Sequence, residues 1–238
     1  DFARTHNVSL FYRNFNLFNF TTIFGGLNYS RTLDPINNAV QFVGLQQVFS
    51  PINAIGFNEN ITAFGSYSKK FKWLRTEARA NFNYSTINNE VNGSENINNT
   101  FSQTYQAEIG TNFNNYPNVE LSYRFTQNDY SGGRNTSIFT NHSPKIEVSA
   151  VFLTDFVFRA DYSYNNYGNP GEIRTIFDFL NSSLEFQKGQ SPWLFSIEAL
   201  NLLNTSIIRE DALSANLIST TAYTVLPRYV LFGVRYDI

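Results

Sequence analysis

The chain has 238 residues, 42% of them hydrophobic and 17% aromatic, with 24 Phe and 14 Tyr interleaved among Asn, Ser and Thr, a mixture that disfavours helical bundles and suits strands with two differently solvated faces. A formal net charge of −2 gives no general attraction to nucleic acid or anionic lipid, and the absence of Cys removes disulfides, thiolate metal sites and cysteine nucleophiles. No apolar run approaches the roughly 20 residues of a transmembrane helix, and no signal-peptide pattern opens the chain. The start at Asp1 and the lack of Met fit a fragment or a processed product.

Period-2 alternation runs from end to end and predicts about twelve strands. They fall near 2–13, 20–32, 38–50, 58–70, 74–88, 98–113, 118–131, 137–152, 156–167, 172–187, 193–204 and 220–238. Between 74 and 84, Leu74, Ala78, Ala80, Phe82 and Tyr84 alternate with Arg75, Glu77, Arg79, Asn81 and Asn83. Val119, Leu121, Tyr123 and Phe125 oppose Glu120, Ser122, Arg124 and Thr126, and Phe156, Phe158, Ala160 and Tyr162 oppose Val157, Arg159, Asp161 and Ser163. Near the C-terminus Val230, Phe232, Val234, Tyr236 and Ile238 continue the pattern.

Tight turns are expected near 70–73, 114–117, 153–155 and 189–192, and longer polar loops near 51–57, 89–97, 132–136 and 205–219. Short turns on one side and long loops on the other are the pattern of outer-membrane barrels. A strand tilted about 45° needs about ten or eleven residues to cross an apolar band about 25 Å tall, and most of these runs meet that length, whereas sandwich strands usually have about five or six. The expected fold is therefore all-β: a transmembrane antiparallel up-and-down β-barrel, with residues 1–238 as one unit. Trp73, Tyr84, Tyr116, Tyr130, Tyr167 and Trp193 lie near strand ends and are expected at the membrane interfaces.

Candidate chemistry is sparse. His6 and His142 are far apart and no His–carboxylate cluster has metal-ligand spacing. The outer-membrane phospholipase, a twelve-strand barrel, carries His and Ser two apart on one face. Here Ser143 follows His142 directly and Pro144 takes the i+2 position, so one extended strand points the two side chains oppositely. No catalytic, cofactor or metal site is expected. Arg79, Arg124, Glu147, Arg159, Asp161 and Glu198 are candidates for facing a wet lumen, where they could meet a plug or a solute. The loops near 89–97, 132–136 and 205–219 are candidates for substrate contact.

Residues 226–238, Leu-Pro-Arg-Tyr-Val-Leu-Phe-Gly-Val-Arg-Tyr-Asp-Ile, resemble the last strand of TonB-dependent transporters of the Bacteroidetes type. Residues 195–204, Phe-Ser-Ile-Glu-Ala-Leu-Asn-Leu-Leu-Asn, are similar to the family's penultimate strand, and residues 28–32 and 64–70 resemble earlier ones. The resemblance implies the C-terminal portion of a 22-stranded outer-membrane barrel whose plug and N-terminal strands lie upstream. It implies solute uptake driven through TonB, and Gly233, Tyr236 and Ile238 as the signal read by the barrel-assembly machinery, although such barrels commonly end in an aromatic residue. A surface lipoprotein is a further implied partner, beside outer-membrane lipid and the chain's own plug. A twelve-strand sheet in lipid leaves two open edges, so either it closes on itself or further N-terminal strands complete it; the resemblance favours completion. The alternatives are a closed twelve-strand pore or translocator, and a soluble β-rich glycan-binding protein.

Overall fold

In a computed structural model the described residues are 2–44, 46–114, 117–132, 135–171, 174–213 and 218–237. They form fifteen strands: β1 (Arg4–Asn16), β2 (Thr21–Leu33), β3 (Ile36–Val43), β4 (Gln46–Asn53), β5 (Phe57–Phe71), β6 (Leu74–Val91), β7 (Ser94–Thr111), β8 (Asn118–Gly132), β9 (Asn135–Phe152), β10 (Phe156–Gly168), β11 (Thr175–Phe186), β12 (Trp193–Leu200), β13 (Ile207–Leu213), β14 (Ile218–Thr224) and β15 (Tyr229–Tyr236). Eleven of them build an antiparallel up-and-down wall in the order β1-β2-β5-β6-β7-β8-β9-β10-β11-β12-β15. The hairpins β3–β4 and β13–β14 are inserted into its connections.

The all-β, up-and-down expectation is met, and the strand count is corrected. The predicted strand at 38–50 is a hairpin that turns at Gly44, whose φ of 63° lies in the left-handed region where only glycine is unstrained. The predicted strand at 220–238 is two strands, parted at Val225–Arg228, where Pro227 cannot donate to a ladder. Conversely, 89–97 is no loop. β6 and β7 remain paired up to Val91 and Ser94 and join through Asn92-Gly93, with φ of 50° and 77°, the positive pair that a two-residue hairpin turn demands. Pairing of β8 with β9 likewise reaches Gly132 and Asn135, which shortens the loop expected at 132–136. The loop expected at 205–219 contains β13 and the start of β14, and 214–217 lie outside the described residues.

The two ends of the wall still differ. At one, which we call the turn end, connections at 17–20, 72–73, 112–117, 153–155 and 187–192 carry no further strand among the described residues. At the other, the loop end, 34–56 and 201–228 carry the two hairpins. A row of paired neighbours starts at Val119, one residue inside β8, and passes through Val148, Ala160, Ser182 and Ala199 to Val230, six residues short of the end of β15. The row climbs about one residue per strand, so with about 3.3 Å per residue and about 4.8 Å between strands, a lean of about 35° keeps the turns level.

Among the described residues no second layer covers this wall. The accessible surface is 15816 Å², whereas a compact protein of this mass exposes about 11,000 Å². The buried apolar side chains Ala39, Val40, Ala54, Tyr130 and Phe139 belong to the loop end, where the β3–β4 hairpin folds onto β6. There Ala39 and Val40 lie beside Glu90 and Val91, and Asn92 donates its backbone N–H to the Val40 carbonyl at 2.9 Å.

Candidate functional site

The register sorts side chains onto two faces. One is predominantly apolar near the turn end: Ala78 stands in a row with Ala107 and Tyr123, Ala80 with Tyr105 and Phe125, and Thr76 with Ile109 and Leu121, while Leu74, Phe82 and Tyr84 lie on the same face of β6, opposite Thr111, Gln103 and Phe101. The same face continues through Ile146 and Val148, Ala160 and Tyr162, Leu184, Ile197 and Phe232. Many of these are exposed, including Leu121 at 49%, Ile197 at 44% and Phe232 at 79%. Beyond Tyr84 the face turns polar with Thr86, Asn88 and Glu90. Ten residue steps from Leu74 to Tyr84 at about 2.7 Å along the normal span about 27 Å, against a barrel band of about 25 Å and a hydrocarbon core of about 30 Å.

Aromatic side chains mark both limits of this band. At the turn end Phe152, Phe156, Phe186, Phe195, Trp193 and Tyr236 form a ladder across five strands, with successive centroids 5.3, 4.7, 6.4, 6.5 and 4.8 Å apart. At the far limit the hydroxyls of Tyr29 and Tyr84, in one row through Ile61, reach polar partners, Glu59 at 2.8 Å and Asn99 at 3.3 Å; Tyr162 stands lower, beside Ile146, and its hydroxyl reaches up to Asp178 at 3.2 Å. Trp73, Tyr84 and Trp193 lie at the two limits of this face, with Trp73 stacked on Phe113 at 5.5 Å. Tyr130 and Tyr167 do not. They fall on the opposite face, Tyr130 buried with its hydroxyl donating to Asn98 Oδ1 at 2.7 Å and Tyr167 stacked on Phe139 at 6.2 Å. Tyr116 lies outside the described residues.

The opposite face carries the charges. Arg79, Arg124, Glu147, Arg159, Asp161 and Glu198 all lie on it, as their register shows. Arg75 donates to Glu108 at 2.6 Å and, across the intervening strand, to Glu120 at 2.7 Å. Gly110 stands between Arg75 and Glu120 in that row; a Cβ there would come within 3.4 Å of the Glu120 carboxylate, so the glycine leaves the path open. Arg159 pairs with Glu185 at 2.7 Å, Lys145 with Glu147 and Arg79 with Glu77. Arg124 donates to Gln106 at 3.1 Å, and Asn181 to Asp161 at 3.1 Å.

Glu120, Glu147 and Asp161 are direct cross-strand neighbours, an arrangement unfavourable for bare carboxylates and relieved by the interleaved Arg75, Lys145 and Arg159. The three carboxylates, with Arg75 and Arg159, border a cavity of about 490 Å³. It is an ionic lattice in which Arg75, Lys145 and Arg159 each pair with a carboxylate on the same face. Among the described residues no group of three or more His, Asp or Glu could hold a metal ion.

His142 and Ser143 separate to opposite faces, as the spacing requires. His142 Nδ1 lies 2.6 Å from the Tyr123 hydroxyl, while Ser143 donates to Asn165 at 2.7 Å. In the last strand, Gly233 faces Ser196, whose Oγ would lie 2.4 Å from a Cβ, and Tyr236 packs against Trp193. Ile238 lies outside the described residues. The cross-strand partners, and the Arg75–Gly110–Glu120 row in particular, escape the sequence because they depend on register.

Comparison with protein-family models, with curated proteins and with solved structures finds no match. The wall thus presents two contrasting faces. One is an apolar band of bilayer height edged by aromatic rings. The other is charged along the same length.

Proposed function

We propose that the chain is a segment of the wall of an outer-membrane transporter barrel that takes up a solute in a TonB-dependent manner. The observation that carries the membrane part is the uncovered single-layer sheet, whose apolar face is about 27 Å tall and limited by aromatic side chains at both ends. In water such a face would be an aggregation surface, far larger than the few hundred Å² that soluble monomers expose. In lipid it needs no cover, and the charged face becomes the lining of a wet interior. This speaks against the soluble glycan-binding alternative.

The transporter part rests on the last two wall strands. The Phe195–Asn204 and Leu226–Ile238 segments carry the resemblance to TonB-dependent transporters, and Gly233 and Tyr236 fall in β15, at the turn end where an outer-membrane barrel closes. The lattice of Arg75, Glu108, Glu120 and Arg159 would then face the plug or the solute path. Membrane fractionation of the full-length gene product, with gel migration compared before and after boiling, tests the barrel. A detergent-extracted band that shifts on boiling and captures the periplasmic domain of TonB is expected. A freely soluble protein overturns the reading, and a membrane barrel that ignores TonB removes its transporter half.

A further inference from the structure

One part of the charged face carries no charge, and at its margin stands a group of apolar rings. Phe11 on β1, Phe24 on β2 and Phe64 on β5 share this face, since Phe24 is in register with Ser66 and then Arg79, and Phe11 with Gly26, Phe64 and Asn81. The Phe64 ring centroid lies 6.3 Å from that of Phe11 and 5.4 Å from that of Phe24, with the planes tilted by 48° and 45°. Gly26 lies between Phe11 and Phe64. A Cβ there would come 2.7 Å from the Phe64 ring and 2.8 Å from the Phe11 ring, so glycine leaves the room that both rings occupy. The three tilted rings form a shallow cup, with Phe11 64% and Phe24 41% exposed. An apolar group that covers them removes their surface from water and is held by doing so.

The surroundings of the cup limit what can cover it. Toward the loop end from the row of Phe11, Gly26, Phe64, Asn81, Thr104 and Thr126, none of the described residues on this face of β1, β2 and β5 to β9 is charged. Asn, Ser and Thr dominate this field and bond one another across strands. Asn83 donates to Thr62 at 2.9 Å, Ser102 donates to Asn128 at 2.7 Å, and the Thr104 and Thr126 hydroxyls lie 3.4 Å apart. Amides and hydroxyls offer donors and acceptors to neutral polar groups. They give an ion no countercharge. On the turn side, Arg13 is in register with Phe24, but it is exposed, so water weakens its pull on an anion. Arg79, beyond Ser66, is paired with Glu77.

Resting on the reading of this face as a wet interior, we propose that Phe11, Phe24 and Phe64 form a subsite for the apolar ring or side chain of an uncharged solute. The polar body of that solute lies against the Asn, Ser and Thr field on the loop side. A blocked peptide with an aromatic side chain and an aryl glycoside share this chemistry.

Three fluorinated probes with one ring in common test the subsite, with the full-length gene product in lipid nanodiscs and the fluorine NMR line width as readout. N-acetyl-para-fluorophenylalanine amide and para-fluorophenyl glucoside are uncharged, and N-acetyl-para-fluorophenylalanine is an anion. At least one uncharged probe should broaden beyond its width with empty nanodiscs, and the two arms tell which polar body the field takes. The anion should bind at least about tenfold more weakly, because its carboxylate finds no partner in the field. Phe24→Ala with Phe64→Ala should abolish the broadening, and Phe11→Ala alone, at the most exposed of the rings, should weaken it. Phe82→Ala, on the apolar face, should leave it unchanged. Broadening no greater than with empty nanodiscs, or equal in the cup variants, overturns the proposal; the cup is then covered by another part of the chain or only packs the wall. Tighter binding of the anion overturns the uncharged assignment. A protein that does not enter nanodiscs sinks instead the membrane reading beneath the proposal.

Discussion

Arg75 joins β6 to both β7 and β8 because the one residue between it and Glu120 is Gly110. Its side chain is 48% exposed, so solvent weakens the pairs, and Arg75→Met is expected to cost only about 0.5–1 kcal/mol, less at high salt. Combining it with Glu120→Gln should recover part of that loss, since the mutant alone leaves Glu108 and Glu120 without their shared cation. Urea midpoints of the detergent-solubilised protein measure both effects. Adjacent positions test the two faces more strongly. Ala80→Arg puts a cation on the apolar band near its middle and should cost about 2–4 kcal/mol in a bilayer, whereas Asn81→Arg on the charged face should cost almost nothing. Equal effects at the two positions would mean that neither face meets lipid.

At the scale of elements, alternation made the wall strands legible wherever their two faces have different solvents. β8, β10 and β15 are of this kind. It failed where that contrast ends. The outer thirds of β6 and β7 are polar on both faces, with Asn88, Asn89, Asn96 and Asn98, so paired strands read as a loop. The signal that would have corrected this is Asn92-Gly93, a two-residue hairpin turn. Replacing Gly93, at φ 77°, with Val should cost about 1–3 kcal/mol through left-handed strain, measured as a lower unfolding midpoint, while Glu95→Gln, at an exposed position of the same hairpin, should change it little. Gly44 hid the opposite error, because a lone glycine in a run of apolar residues reads as a weak strand position rather than a reversal. The charged residues of the candidate site were legible as one face from their parity alone. Their partners were not, because whether Arg159 meets Glu185 or Glu198 depends on how β10, β11 and β12 slide past one another.

For the whole molecule, the central claim is that the apolar band faces lipid while the charged face lines water. It explains why so few side chains are buried, why those few sit at the loop end, and why aromatic rings gather at two levels. The most direct test attaches a polarity-sensitive fluorophore to single Cys residues at positions 119–126 along β8, in the full-length protein reconstituted in lipid vesicles. Emission should alternate with period two, blue-shifted at 119, 121, 123 and 125 and quenched by brominated lipid there, and water-like at 120, 122, 124 and 126. Uniformly water-like emission, or alternation that brominated lipid does not quench, would contradict the account.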